Sequence, residues 1–326
     1  MRVVVSRPLP GGLGLLEQEH SITDLWVSPD SYGVDRRAFL EQLSGAHAAI
    51  VTVSERVDAE FFEAAGPDLR VVANYAVGFD NMSIAEATGR KVWLTNTPDA
   101  VTPSTADMAW TLMLGVSRRV HEGEAAVRSG AFANTRGFDP SYLLGGDFEG
   151  QTLHIVGAGR IGFAVAMRSL GWSMRVLYTS RTEHPEFEKA PLRAERVRLE
   201  DGLRQADYVS IHVPLTEETR HLIGEAELRM MKSSAYLINT ARGPVVDETA
   251  LVRALRNGWI AGAGLDVYED EPRTAPGLIE LENTLLMPHV GSASRRQRPL
   301  MAEMAQRNVV AVLRGNRPPN PINEPS

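Results

Sequence analysis

The run Gly157-Ala158-Gly159-Arg160-Ile161-Gly162 constrains this chain more than any other stretch. It follows the apolar Leu153-His154-Ile155-Val156 directly and opens FAVAMRSLG, a pattern of helical spacing. The first glycine permits a tight turn and the second lets a pyrophosphate approach the backbone. The third lets helix and strand pack closely, while the helix N-terminus faces the anion with unpaired amides. Bare GxGxxG spacing is common, and a glycine turn without a ligand has the same spelling. A strand before it, a helix after it and a further strand at MRVLYTS (174–180) make a dinucleotide site the better reading. The other glycine cluster, Gly11-Gly12-Leu13-Gly14, carries Glu17 where the third glycine belongs, and an acid there would repel phosphate.

The end of that further strand bears on which dinucleotide binds. An acid is expected about 20 residues beyond the first glycine, where it accepts from the ribose 2′-hydroxyl of NAD and repels the 2′-phosphate of NADP. Here the strand ends in Thr179, Ser180, Arg181 and Thr182. Hydroxyls donate, and a guanidinium adds charge-assisted bonds to phosphate. NADP(H) is therefore the expected cofactor. NAD(H) is the alternative if Glu183 turns back to the ribose.

The rest of the chain repeats the same grammar. Val3–Val5, Ala48–Val51, Val71–Ala73 and 92–94 are short β-type runs, with RRAFLEQL and DAEFFEAA between them at helical spacing. A longer helical pattern, TPSTADMAWTLMLGVSRRV, starts near Pro103, which suits a first helical turn. A second series follows in TLHIVG, MRVLYTS, ADYVSIHVP, AYLINTA and AGAGLDV, with DETALVRALRNG ending on Gly258. Strands alternating with helices predict an α/β protein with two Rossmann-like parallel-sheet domains. The second domain is expected at 102–292, and the final helix, within 295–316, is expected to pack on the first.

Net charge is −7 with no basic block, which argues against a nucleic-acid partner. There is no cysteine, so disulfides, thiol catalysis and thiolate metal sites are excluded. MRVVVSRPLPGG lacks the apolar core of a signal peptide and no run approaches a membrane span, so a cytoplasmic, soluble protein is expected.

Three segments carry candidate chemistry: NTARGPVVD around Arg242, GLDVYEDEP around Glu271 and LMPHVGSAS around His289. Arg242 and His289 each follow an apolar run, and Glu271 lies a few residues past another, the side of an open α/β sheet where ligands bind. Hydride exchange between a nicotinamide and a 2-oxo acid asks three things of a protein. A cation must hold the carboxylate, a donor must protonate the carbonyl oxygen, and a third group must keep that donor charged. Arginine, histidine and glutamate suit those roles. The chain has eight histidines, however, and spacing alone does not select His289.

Longer stretches make that selection. VGFDN (77–81), NTPDAVTPSTAD (96–107), VGAGRIG (156–162), HVPLTEETRHLI (212–223), NTARGPVVDETAL (239–251), GLDVYEDEP (264–272) and PHVGSAS (288–294) resemble the D-isomer-specific 2-hydroxyacid dehydrogenases, in order and over nearly the whole chain. The resemblance implies an Arg242, Glu271, His289 catalytic set, with Val77 and Gly78 joining Arg242 and His289 at the substrate. It implies cofactor contacts at Thr105, Gly157, Gly159, Arg160, Ile161, Gly162, Ser180, Arg181, Thr182, Val213, Pro214, Thr219, Thr240, Ala241, Asp266, His289 and Gly291. It also implies a substrate domain of 1–101 plus 293–326, a dinucleotide domain of 102–292 inserted within it, an active-site cleft between them, and a homodimer. No metal is implied.

Within the family, Glu271 stands where similar formate dehydrogenases use glutamine, and Val77 where phosphite-oxidising members carry lysine. LYTSRT is similar to the strand end of NADPH-preferring glyoxylate and hydroxypyruvate reductases. GFDP, near Phe138, lacks the tryptophans that some of them place there. The expected activity is NADPH-preferring reduction of glyoxylate or hydroxypyruvate to a D-2-hydroxy acid. The alternatives are an NAD-dependent dehydrogenase of another 2-oxo acid (phosphoglycerate or phenylpyruvate type) and, from a different class, a nucleotide-sensing corepressor-like protein.

Overall fold

A computed structural model describes residues 1–31, 35–134 and 139–325. The chain divides into two units, Met1–Val101 with Ala293–Ser326, and Thr102–Ser292. The segment at Phe138 lies outside the described residues.

In the first unit, strands β1 (Arg2–Val5), β2 (Asp24–Val27), β3 (Ala48–Val51), β4 (Val71–Asn74) and β5 (Trp93–Thr95) form one sheet in the order β2-β1-β3-β4-β5. Every pairing is parallel, and the order is that of a flavodoxin-like doubly wound sheet. The three central strands consist almost wholly of valine, alanine and isoleucine and are buried. Parallel strands covered on both faces have this composition because neither face meets water. The helix Gln297–Leu313 returns from the far end of the chain and sets Ala302, Ala305 and Val309 into the same core as Val3, Val5, Ile50 and Ala73.

The second unit holds β6 (Thr152–Val156), β7 (Arg175–Thr179), β8 (Glu195–Arg196), β9 (Tyr208–Ile211), β10 (Tyr236–Asn239), β11 (Gly262–Leu265) and β12 (Thr284–Leu286). Their order is β12-β11-β10-β9-β6-β7-β8, again all parallel. Numbered within the unit, this is the 3-2-1-4-5-6 arrangement with one strand added. The chain leaves β6 toward β8 and then crosses to β9, so the switch point falls between β6 and β9. The helix Thr102–Ser117 lies on this sheet. A Cβ on Gly264 would come within 2.8 Å of Leu112 Cβ, so the strand's glycine permits the close approach. Trp110 Nε1 donates to the Val165 carbonyl at 3.0 Å and fixes the helix against Arg160–Arg168. No helix among the described residues is long and apolar enough to cross a membrane.

Two parallel-sheet α/β domains are as expected, while β2 and β8 have no counterpart among the sequence-predicted strands. Each sits at a sheet edge, with one neighbour and part of its surface exposed. No continuous apolar run is needed there.

Candidate active site

The glycine turn has the geometry its spelling predicts. Gly157 has φ of +106°, and a Cβ there would lie 2.6 Å from the His212 carbonyl carbon and 2.7 Å from Val213 N. A Cβ on Gly162 would lie 2.2 Å from the Gly157 carbonyl oxygen. Both positions are closed to side chains by backbone on either side of the switch point. Gly159 differs: a Cβ there would meet no atom within 4 Å. Open space therefore lies before the N-terminus of the helix Arg160–Arg168, and the positive end of a helix favours an anion. At the end of β10, Thr240 Oγ1 is buried with no hydrogen-bond partner among the described residues. A buried hydroxyl without a partner is costly and points to a ligand that supplies one. These features fit a dinucleotide, with the pyrophosphate before Gly159–Ile161.

The other sequence-predicted cofactor residues of this unit gather at the same edge of the sheet. Ser180, Arg181 and Thr182 follow β7, and the Ser180 hydroxyl donates to the Thr182 carbonyl, closing a small turn. The Thr179 hydroxyl faces inward, donating to the Val197 carbonyl at 3.0 Å with His154 Nε2 at 2.8 Å, and is spent on the fold. Val213 and Pro214 follow β9, and Thr219 Oγ1 donates to the Pro214 carbonyl at 2.6 Å. Ala241 follows β10. Thr105 comes from the helix Thr102–Ser117 and approaches Gly291, whose Cβ would lie 3.7 Å from Thr105 Cγ2.

Asp266, just after β11, is 1% exposed, and its carboxylate accepts from Val290 N at 2.8 Å and Gly291 N at 2.6 Å. Burial pushes its pKa up, and the two amide bonds oppose the rise. Hydrogen bonds to a charged acceptor contribute about 1.5–3 kcal/mol each, so Asp266 anchors the loop that carries His289. That histidine has φ of +52°, unusual for a bulky residue, and the anchored loop holds it there.

His289 Nδ1 lies 2.7 Å from Glu271 Oε2, and Glu271 Oε1 accepts from the Tyr268 amide at 3.1 Å. Burial would raise the Glu271 carboxyl. The His289 hydrogen bond and charge, the Tyr268 amide and the Arg242 charge outweigh it and hold the group below the usual carboxylate range. An ionised carboxylate only accepts, so Nδ1 carries the proton and Nε2 is the atom left for chemistry.

Arg242 ends a latched turn. Asn239 Nδ2 donates to the Arg242 carbonyl at 2.9 Å, and Asn239 Oδ1 accepts from Ala241 N at 3.0 Å. The next residue, Gly243, packs so tightly that a Cβ would fall 1.9 Å from the Tyr268 carbonyl atoms. The arginine turn thus rests directly on the segment that leads into Glu271. Neither the Asn239 latch nor the His221–Glu269 pair (2.6 Å) beside it figured in the sequence reading. An asparagine closing β10 before a turn was the available signal for the first. The second joins residues 48 positions apart and left none.

In the first unit, Val77 and Gly78 have their carbonyls tied down. Asn96 Nδ2 donates to the first at 2.7 Å and Asn74 Nδ2 to the second at 2.9 Å. Their amides make no hydrogen bond among the described residues.

A doubly wound sheet with a glycine cradle, a buried unpaired hydroxyl and an Arg/Glu/His group at its carboxyl edge defines a nicotinamide-dinucleotide-binding class of protein. Residues 110–291 match the family model described as D-isomer specific 2-hydroxyacid dehydrogenase, NAD binding domain. Glyoxylate reductases of Thermococcus onnurineus and Pyrococcus horikoshii are each 48% identical over 325 residues, covering 99% of this chain and 96% of theirs. A solved protein of Thermus thermophilus is similar at a TM-score of 0.90 and 43% identity, over 99% of this chain and 100% of that one. An NADPH-dependent glyoxylate/hydroxypyruvate reductase from Sinorhizobium meliloti, solved with NADP and malonate, is similar at 0.82 and 30% identity, over 98% and 96%. The chain belongs to the D-isomer-specific 2-hydroxyacid dehydrogenase family. It is an NAD(P)-dependent oxidoreductase.

Proposed function

We propose that this enzyme reduces small 2-oxo acids of the glyoxylate and hydroxypyruvate type to D-2-hydroxy acids. NADPH is the preferred reductant and Arg242, Glu271 and His289 are the catalytic residues. The observation that carries this reading is the 2.7 Å contact between Glu271 and His289 Nδ1, beside the Arg242 turn and at the sheet edge that bears the glycine cradle.

When bound, the reduced nicotinamide would supply a hydride to the carbonyl carbon of the substrate. Arg242 holds the carboxylate with its planar fork and polarises the ketone. His289 donates the Nε2 proton to the developing alkoxide, and Glu271 stabilises the imidazolium before that transfer. The Val77 and Gly78 amides, which make no hydrogen bond among the described residues, are donors of the kind a carboxylate accepts from. Asp266 and Thr240 would hold the nicotinamide end, and Arg181 would take the 2′-phosphate. The names of the relatives support glyoxylate-type acids, and the Sinorhizobium enzyme supports NADP.

The same reading includes a homodimer. The helix Val120–Arg128 buries none of its residues, and Val127 (63%) and Leu144 (68%) are among the exposed apolar side chains of this unit. Light scattering should give twice the mass of one chain.

Initial rates with glyoxylate, hydroxypyruvate, pyruvate and phenylpyruvate, each with NADPH and NADH, test the proposal. The expected result is highest kcat/KM with NADPH and one of the first two acids. Absence of turnover with glyoxylate and hydroxypyruvate would overturn the substrate assignment.

A further inference from the structure

We propose that Arg196 sets cofactor specificity by positioning the turn that receives the 2′-phosphate. This rests on the NADPH reading above and adds a residue that neither the glycine motif nor the Thr179–Thr182 strand end includes.

Arg196 ends β8, the edge strand beside β7. Its Nη2 donates to the Ser180 carbonyl at 3.1 Å and to the Arg181 carbonyl at 2.8 Å. One guanidinium nitrogen thus holds two successive carbonyls on the β8 side of the turn. In a planar trans peptide the C=O and the following N–H point in opposite directions. Pinning these two carbonyls therefore turns the Arg181 and Thr182 amides away from Arg196. Neither amide makes a hydrogen bond among the described residues. Successive main-chain N–H groups facing one way form an anion-binding concavity. Here that concavity is flanked by the Arg181 side chain, which is exposed.

Arg196 also acts on the one acid of this turn. Its Nη1 lies 3.8 Å from Glu183 Oε1. Glu183 is the residue through which the turn would favour an unphosphorylated ribose, by accepting from the 2′-hydroxyl and repelling phosphate. An arginine beside it offsets that charge and draws the carboxylate toward β8. Both effects favour a dianion at the ribose 2′-position, and neither requires Arg196 to touch it. Arg196 is accordingly a positioning residue.

The test compares wild type, Arg181→Gln, Arg196→Gln and Arg196→Lys. The readouts are kcat and kcat/KM with NADPH and NADH, and affinity for adenosine 2′,5′-bisphosphate against 5′-AMP. Both glutamine variants should lose about tenfold in kcat/KM with NADPH, the size of a lost hydrogen bond to a charged group. Arg196→Gln should keep kcat at saturating NADPH, keep kcat/KM with NADH within about twofold, and lose affinity for the bisphosphate alone. Arg196→Lys should recover part of the loss, since an ammonium still donates to carbonyls. If Arg196→Gln lowers NADPH and NADH together, or neither, while Arg181→Gln lowers NADPH alone, Arg196 is only structural and the NADPH reading stands. If wild type prefers NADH and Arg181→Gln changes nothing, the NADPH reading fails and the role of Arg196 fails with it.

Discussion

On the proposed mechanism His289 must be aimed at the substrate, and its one bond to Glu271 at 2.7 Å is placed to aim it. Replacing Glu271 with glutamine keeps the shape and removes the charge. Glu271→Gln should lower kcat for reduction by about 10²-fold. A kcat equal to wild type would show that the charge on this carboxylate is not needed for the chemistry. The depressed carboxyl of Glu271 has a stability consequence too. Its folded pKa lies below the unfolded value of 4.5, so its contribution is full above that value and is lost as pH falls through the folded one. At this scale the sequence was partly legible. Arginine, glutamate and histidine could be matched to roles by charge and donor geometry. Choosing His289 among eight histidines required the long motifs around it, since nothing in a spacing encodes which imidazole meets Glu271.

Elements carry these residues by backbone contact more than by side-chain bonds. The turn Arg242-Gly243 and the segment Tyr268-Glu269 touch where a methyl group cannot fit. Gly243→Ala should push the arginine turn off the Glu271 segment, reducing kcat/KM by at least tenfold and costing about 1–3 kcal/mol of stability. Activity and melting temperature equal to wild type would mean that the two segments are not in register with one another. The buried strands could be read from sequence because parallel packing demands continuous apolar runs, as in Val3-Val4-Val5 and Leu153-His154-Ile155-Val156. Asp24–Val27 and Glu195–Arg196 could not, since these edge strands carry charged residues and form no continuous apolar run. The position of Arg196 beside Ser180 was hidden for the same reason. It follows from the pairing of Tyr178 with Arg196 at the sheet edge, a contact that no local pattern marks.

At the scale of the whole molecule, acid sensitivity should come from a histidine outside the chemistry. His154 is fully buried in β6, and a Cβ on Gly202 would lie 2.3 Å from its ring. Burial lowers its pKa from 6.5 to about 4. The unfolded chain takes up this proton near pH 6.5 and the folded chain only near pH 4, so stability is full above the first value and falls toward the second. The loss between pH 7 and pH 5 is about 2 kcal/mol. His154→Asn should therefore lose less melting temperature than wild type over that interval, and an equal loss would refute the assignment. The most direct test of the catalytic reading is turnover of glyoxylate with NADPH by His289→Ala, with melting temperature measured beside it. A kcat lower by about 10²–10⁴-fold, in a protein that melts within a few degrees of wild type, is the predicted result. Turnover near the wild-type rate would contradict it, and another group would have to deliver the proton.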